Sequence, residues 1–166
     1  FGFGRPTGVE LPGEERGIVM PAAKYSGTSM LNLPLGQGQS VTPMQIMAAY
    51  GAIANGGVLR TPQVVRRVGG RPVAAGDGAR VISEQTSRQI RKMLEGVLAD
   101  GGTAAAVKVR GFKLAGKTGT ANKIEPDGTY SESKYVASVV GFAPAENPRL
   151  LISAVADEPT EGPIDA

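Results

Sequence analysis

Apolar residues recur at helical spacing in the middle of the chain. They occupy positions i, i+3, i+4, i+7 and i+8, which place them on one face of an amphipathic helix. Ser83 before this run is a suitable N-cap, and Gly101-Gly102 after it favours a stop. The pattern therefore predicts a helix with one buried face, formed by Ile90, Met93, Leu94, Val97 and Leu98.

A second helix is predicted earlier in the chain by its start and stop signals. Thr42 can cap the helix, Pro43 suits its first position, and Gln45 completes a capping box. Asn55-Gly56-Gly57 ends it. The methionines of both helices, Met44, Met47 and Met93, are expected in the core.

Strand-like runs dominate the last third of the chain. Residues 112–120, 135–143 and 149–156 are the three candidates, and the turn from Pro144 to Pro148 is short enough for an antiparallel hairpin. Asp157 and Glu158 then fall in a strand-end turn, which we favour over a metal site. We therefore predict an α+β fold with an antiparallel sheet packed against helices.

Composition narrows the classes of function. The chain has 166 residues, a net charge of +3, and neither cysteine nor histidine. These absences exclude a disulfide scaffold, zinc sites of His and Cys, and a Ser-His-Asp triad within the chain. We predict no cofactor, no metal and no nucleic-acid partner. No run reaches the ~18 apolar residues of a membrane span, and both ends look cut, which favours a fragment.

The candidate chemistry lies in Gly116-Lys117-Thr118-Gly119-Thr120, which fits two motifs. Residues 111–118 match the G-x-x-x-x-G-K-[ST] pattern of a phosphate-binding P-loop. That loop needs a helix directly after its Lys-Thr, and the turn Pro126-Asp127-Gly128 leaves no room for one. The alternative is Lys-Thr-Gly on an exposed strand, where Gly119 lets a ligand approach the backbone and Lys117 attracts a carboxylate.

Further motifs, in order along the whole chain, resemble the transpeptidase domain of penicillin-binding proteins. After the Gly36-Gln37-Gly38 loop and the capped helix come Asn55-Gly56-Gly57, the K-T-G strand, and Val140-Gly141-Phe142-Ala143-Pro144. The similarity is greatest to the class B enzymes of cell division and elongation. It implies the C-terminal portion of one transpeptidase domain over 1–166: a Gly/Pro-rich loop region at 1–41, mostly helix with short strands at 42–111, and a three-stranded antiparallel meander at 112–157.

The resemblance also implies a function and its site. Such enzymes cross-link peptidoglycan stem peptides ending in D-Ala-D-Ala through an acyl-enzyme, and β-lactams acylate them. Lys117 and Thr120 map onto catalytic positions, and Thr118, Gly119 and Thr120 onto the substrate-binding strand. The expected parent protein is anchored to the bacterial cytoplasmic membrane, acts on its outer face, and joins a cell-wall synthesis complex.

Two family elements have no counterpart in this sequence. No S-x-N occurs, and the one S-x-x-K, Ser131-Glu132-Ser133-Lys134, follows the K-T-G strand instead of preceding it. We interpret Ser131 as part of a solvated polar turn, so the nucleophile is expected outside this chain. The alternative is a non-catalytic β-lactam-sensing or peptidoglycan-binding module, and a P-loop NTPase and a D,D-carboxypeptidase follow as less favoured ones.

Overall fold

The structure is a computed structural model and describes residues 1–160. Its strands are β1 Ile18–Val19, β2 Gln39–Ser40, β3 Val58–Leu59, β4 Arg67–Val68, β5 Arg71–Pro72, β6 Ala79–Arg80, β7 Ala115–Ile124, β8 Tyr130–Ala143 and β9 Leu150–Asp157. Its helices are α1 Ser29–Asn32, α2 Pro43–Ala54 and α3 Glu84–Leu98, with 3-10 turns at Ala22–Lys24 and Leu33–Leu35. No helix in this part of the chain is both long and apolar enough to cross a membrane.

The described chain forms two compact units. The first contains Phe1–Ala52 and Val58–Val81, and the second contains Ile53–Gly57 and the chain from Ile82 onward. Short antiparallel pairs link β1 to β2, β3 to β6 and β4 to β5 in the first unit. The second unit carries α3 and a three-stranded antiparallel sheet in the order β7-β8-β9. These elements confirm the predicted α+β class.

A buried glutamine organises the first unit at the start of α2. The Gln45 amide oxygen accepts from the backbone N–H of Thr42, and the Thr42 hydroxyl accepts from the N–H of Gln45, which confirms the capping box. The Gln45 amide nitrogen donates to the carbonyl oxygens of Arg5 and Arg16, at 2.7 and 2.9 Å. One helix cap therefore also satisfies two carbonyls of the Gly/Pro-rich loop region.

Helix α3 begins where the sequence predicts and ends slightly earlier. The Ser83 hydroxyl accepts from the N–H of Thr86 at 3.0 Å, and the helix ends at Leu98, before the glycine pair. Its buried face runs through Ser87 and Leu94. The prediction that Met93 lies in the core is wrong, because its side chain is 70% exposed. Met93 directly precedes the buried Leu94 on the helix and lies beside the buried face, not on it.

Removing the N-cap of α3 is expected to destabilise the protein. Ser83→Ala deletes the acceptor for the Thr86 N–H and should lower the free energy of unfolding by about 1 kcal/mol. Chemical denaturation of the protein measures this loss. Ser83→Asn is the matched control, since asparagine also caps helices well. An equal loss in both variants would contradict the capping role.

The sheet is longer than the sequence predicts at the β7–β8 hairpin. Strand β7 begins at Ala115, three residues later than predicted, but it continues to Ile124. Strand β8 begins at Tyr130, five residues earlier than predicted. The N–H of Glu125 donates to the Thr129 carbonyl at 2.8 Å. Pro126-Asp127-Gly128 therefore forms a tight turn between paired strands. The third predicted strand is confirmed as β9.

The core of the second unit includes buried residues of β7 and β8, on the sheet against which α3 packs. Ala115 is fully buried, and Phe142 and Val140 are 3% and 7% exposed. Ala115 and Phe142 are direct cross-strand partners, and α3 packs against β7. This packing fixes the beginning of β7, and the candidate motif follows it within two residues.

Candidate functional site

The Lys117-Thr118-Gly119-Thr120 segment lies in β7, at the edge of the sheet. Strand β8 pairs with one side of β7, and no other strand of the described residues pairs with its outer side. Thr118 is half-buried, whereas Lys117, Gly119 and Thr120 are exposed. An edge strand retains backbone N–H and C=O groups that an extended ligand can use. The structure thus presents all four predicted site residues on one accessible strand.

Two polar contacts orient the side chains of this segment. The Lys117 ammonium donates to the Thr118 carbonyl oxygen at 2.9 Å. The Thr118 hydroxyl lies 3.2 Å from the Thr103 hydroxyl, which comes from the loop after α3. The charge and the hydroxyl are therefore held beside the same stretch of backbone. Thr103 follows the Gly101-Gly102 pair in the sequence, and no pattern indicated this contact.

Two glycines give the strand its close contacts. A Cβ at Gly116 would lie 2.6 Å from the carbonyl oxygen of Val140 on β8 and 3.0 Å from the Gly141 Cα. A Cβ at Gly119 would meet only the Ser138 hydroxyl, at 2.8 Å. Gly116 is required for strand pairing, because its obstacle is backbone. Gly119 leaves the exposed surface of the strand flat, and its single close neighbour is the end of a side chain.

A three-membered ion cluster ties the far end of β7 to the end of β9. The Lys123 ammonium lies 2.7 Å from a carboxylate oxygen of Asp157 and 2.7 Å from one of Glu158. The hydrogen bond to Asp157, and then that to Glu158, raise the pKa of Lys123. Asp157 is the last residue of β9 and not part of a turn as predicted, whereas Glu158 follows the strand. The two acids thus hold a lysine at the strand end. No group of three or more metal-ligating side chains occurs within residues 1–160.

The geometry around Lys117 excludes a P-loop. Lys117 and Thr118 lie inside an extended strand that continues to Ile124. A P-loop would place the start of a helix at this point, because helix N-terminal N–H groups hold the phosphates. The nucleotide-binding alternative is therefore wrong.

Ser131, the serine of the single S-x-x-K, is not in a solvated turn as predicted. It lies in β8 and is only 4% exposed. Its hydroxyl oxygen accepts from the N–H groups of Ser133 and Lys134, at 3.4 and 3.0 Å. A hydrogen bond from this hydroxyl, followed by the contact with Lys134, lowers the pKa of Glu125. The S-x-x-K spacing here builds a local hydrogen-bonded cluster at the hairpin.

The family of the chain follows from its match to a family model. The model described as "Penicillin binding protein transpeptidase domain" matches residues 1–166. The chain belongs to this family. Its similarity to individual relatives extends over nearly the whole chain. The chain is 41% identical over 169 residues to "Stage V sporulation protein D" of Bacillus subtilis, a match that covers 96% of the chain and 25% of that protein.

A second relative and a solved structure agree with this family. The chain is 35% identical over 162 residues to "Peptidoglycan D,D-transpeptidase FtsI" of Escherichia coli, covering 98% of the chain and 26% of that protein. It superimposes with a TM-score of 0.89 and 39% identity on penicillin-binding protein 3 from Mycobacterium tuberculosis complexed with aztreonam, over 96% of the chain and 38% of that one. The matches confirm the predicted class B transpeptidase family and its fold. The chain spans about a quarter of the length of these curated relatives.

Proposed function

We propose that the chain is part of a serine D,D-transpeptidase that cross-links peptidoglycan stem peptides through an acyl-enzyme. The observation that carries this proposal is the exposed Lys117-Thr118-Gly119-Thr120 segment on the outer side of an edge strand. Membership of a family with a relative named as a D,D-transpeptidase supports it. On this proposal, both units belong to one transpeptidase domain in the parent protein.

The proposed substrate is an extended peptide with a free carboxylate, which suits the D-Ala-D-Ala end of a stem peptide. Lys117 provides positive charge for that carboxylate, and the hydroxyls of Thr118 and Thr120 donate hydrogen bonds. Gly119 allows the peptide to approach the strand backbone closely. The N–H of Thr120 is proposed to stabilise the oxyanion, a contribution typically worth about 3–4 kcal/mol in such sites. β-Lactams are proposed to bind to the same strand.

The nucleophilic serine and its lysine are proposed to lie in the parent protein outside this sequence. Ser131 is poorly suited to attack, because it is buried and its oxygen already accepts two backbone hydrogen bonds. The activated nucleophile of a hydrolase or transferase needs an adjacent base and access to substrate. The chain therefore contributes one wall of the site and has no acyl-transfer activity by itself.

A labelling experiment tests this division of the site. We expect a fluorescent penicillin to label the full-length parent protein covalently and to leave this chain alone unlabelled, as read on a denaturing gel. Labelling of the isolated chain would contradict the proposal that its nucleophile is missing. A parent protein that binds penicillin without covalent labelling would instead favour a β-lactam-sensing or peptidoglycan-binding module.

Incubation of the parent protein with a stem pentapeptide distinguishes a transpeptidase from the remaining alternative, a D,D-carboxypeptidase. A transpeptidase forms cross-linked peptide dimers, whereas a D,D-carboxypeptidase only releases D-alanine.

We further propose that the parent protein is anchored in the bacterial cytoplasmic membrane with this domain on the outer face, in a complex that synthesises the cell wall. The family membership of the chain supports this location.

A further inference from the structure

The hairpin formed by β4 and β5 is an exposed and strongly basic part of the first unit. Every residue from 63 to 77 is exposed. Between residues 60 and 80 the sequence contains five arginines and one acid, Asp77. A segment of this charge is costly to bury without paired carboxylates. The hairpin is therefore suited to the surface of the parent protein.

Three guanidinium groups at the hairpin have no partner among residues 1–160. Within residues 1–160, no hydrogen bond or ion pair engages the side chains of Arg66, Arg67 or Arg71. Apolar side chains flank two of them, since Val65 and Val68 are 39% and 64% exposed. From residue 65 to residue 68, the segment that ends with β4 and is called the β4 edge below, the exposed order is therefore apolar, basic, basic, apolar.

The two edges of this hairpin differ in what they can bind. Arg67 pairs with Pro72, and Val68 pairs with Arg71. The N–H of Val73 donates to the Arg66 carbonyl, so the alternation of antiparallel pairing turns the N–H and C=O of Arg67 outward. Its partner Pro72 has no N–H to donate on the other edge. The β4 edge is the better template for an added strand.

A carboxylate already binds to the chain just before this edge. The Glu10 carboxylate accepts from the backbone N–H of Val64 at 2.9 Å. Hydrogen bonds from the backbone, with that of Val64 the strongest, lower the pKa of Glu10. The backbone donors here thus favour an anionic oxygen, as the neighbouring guanidinium groups do.

We infer that the β4 edge binds an extended acidic segment of a partner protein, with the residue order apolar, acidic, acidic, apolar. Two acids would meet Arg66 and Arg67, and the flanking apolar residues would meet Val65 and Val68. A phosphate polymer would pair with the arginines but would offer no apolar contact to the two valines. A hairpin that binds a membrane surface would be expected to have valines at its tip, where this structure has Gly69-Gly70.

Fluorescence anisotropy of the full-length parent protein tests the inference with a fluorescein-labelled peptide containing valine-glutamate-glutamate-valine. We expect the unmodified protein to bind this peptide saturably. The Arg66→Gln/Arg67→Gln double variant should bind it roughly fivefold to tenfold more weakly, since each exposed ion pair contributes modestly. Arg71→Gln on β5 is the matched control, with less than about a twofold change. Covalent labelling by a fluorescent penicillin should be unchanged in all variants, which shows that they fold.

Two further probes decide the binding mode. Methylating the backbone nitrogens of the peptide should abolish binding, because an added strand needs those N–H groups. Equal losses in Arg71→Gln, Arg66→Gln and Arg67→Gln, each measured as a single variant, would overturn the inference in favour of general charge attraction. Tighter binding of polyphosphate, or of vesicles containing phosphatidylglycerol, than of the peptide would also overturn it.

Discussion

Replacing Lys117 by alanine in the full-length parent protein should slow acylation by a penicillin about 100-fold. The change removes the cation of the exposed strand, and truncating one partner of a charge pair in a binding site typically costs about 2–5 kcal/mol. Stopped-flow or gel-based measurement of the second-order acylation rate constant gives the effect. Lys117→Arg keeps the charge, although its planar group fits differently, and should retain more activity than alanine.

Lys113→Ala is the matched control for this experiment. Lys113 precedes the same strand, and its ammonium lies 3.3 Å from a Glu146 carboxylate oxygen in an exposed ion pair. Exposed pairs contribute little, so the acylation rate should change by less than about twofold. An unchanged rate in Lys117→Ala, or an equal loss in both variants, would remove Lys117 from the proposed site.

Gly116→Ala should destabilise the domain and reduce penicillin labelling together. The added Cβ would lie 2.6 Å from the Val140 carbonyl oxygen and 3.0 Å from the Gly141 Cα, so β7 and β8 would have to separate. Overpacking of this kind costs about 1–3 kcal/mol. Thermal unfolding of the parent protein should show a lower midpoint, and the displaced strand should acylate more slowly.

Gly119→Ala tests whether backbone contact causes that effect. Its Cβ would meet only the Ser138 hydroxyl, at 2.8 Å, and this side chain can rotate away. We therefore expect a midpoint close to that of the unmodified protein. If Gly119→Ala unfolds at the same lowered temperature as Gly116→Ala, close packing of the two strands is not the reason for glycine at position 116.

The helices were predictable because their signals are local. Thr42 and Gln45 are three residues apart, as are Ser83 and Thr86, so each cap can be recognised within one turn of sequence. The additional bonds from Gln45 to Arg5 and Arg16 could not be predicted. They join residues 40 and 29 positions apart, and no local pattern encodes such a distance.

The errors concern residues whose surroundings come from elsewhere in the chain. Ser131 follows a polar turn in sequence, yet it lies in β8 opposite the register shift of the β7–β8 pairing and is only 4% exposed. Met93 has helical spacing with Ile90 and Val97, but the other elements of the unit leave it exposed. Similarly, the contact between Thr103 and Thr118 depends on how the loop after α3 approaches the strand.

The choice between the two meanings of the Gly-Lys-Thr motif was possible from the sequence, since the Pro-Asp-Gly turn behind it is incompatible with a helix. An exposed strand for Lys-Thr-Gly was also expected from the sequence, and the structure shows that this strand is β7, an edge strand among the described residues on which Lys117 and Thr120 are exposed. The ion pairs of Lys123 were unpredictable, because its acidic partners lie at the end of β9, which β8 separates from β7.

The open side of β7 also affects how this chain behaves in solution. A strand whose backbone can receive a peptide can receive any other extended chain, including the same strand of a second copy. Lys117 places positive charge on this strand, and like charges on two copies oppose such self-pairing. Concentrated samples of the isolated chain are therefore expected to remain dispersed best at low salt, where repulsion between the Lys117 side chains of two copies is least screened.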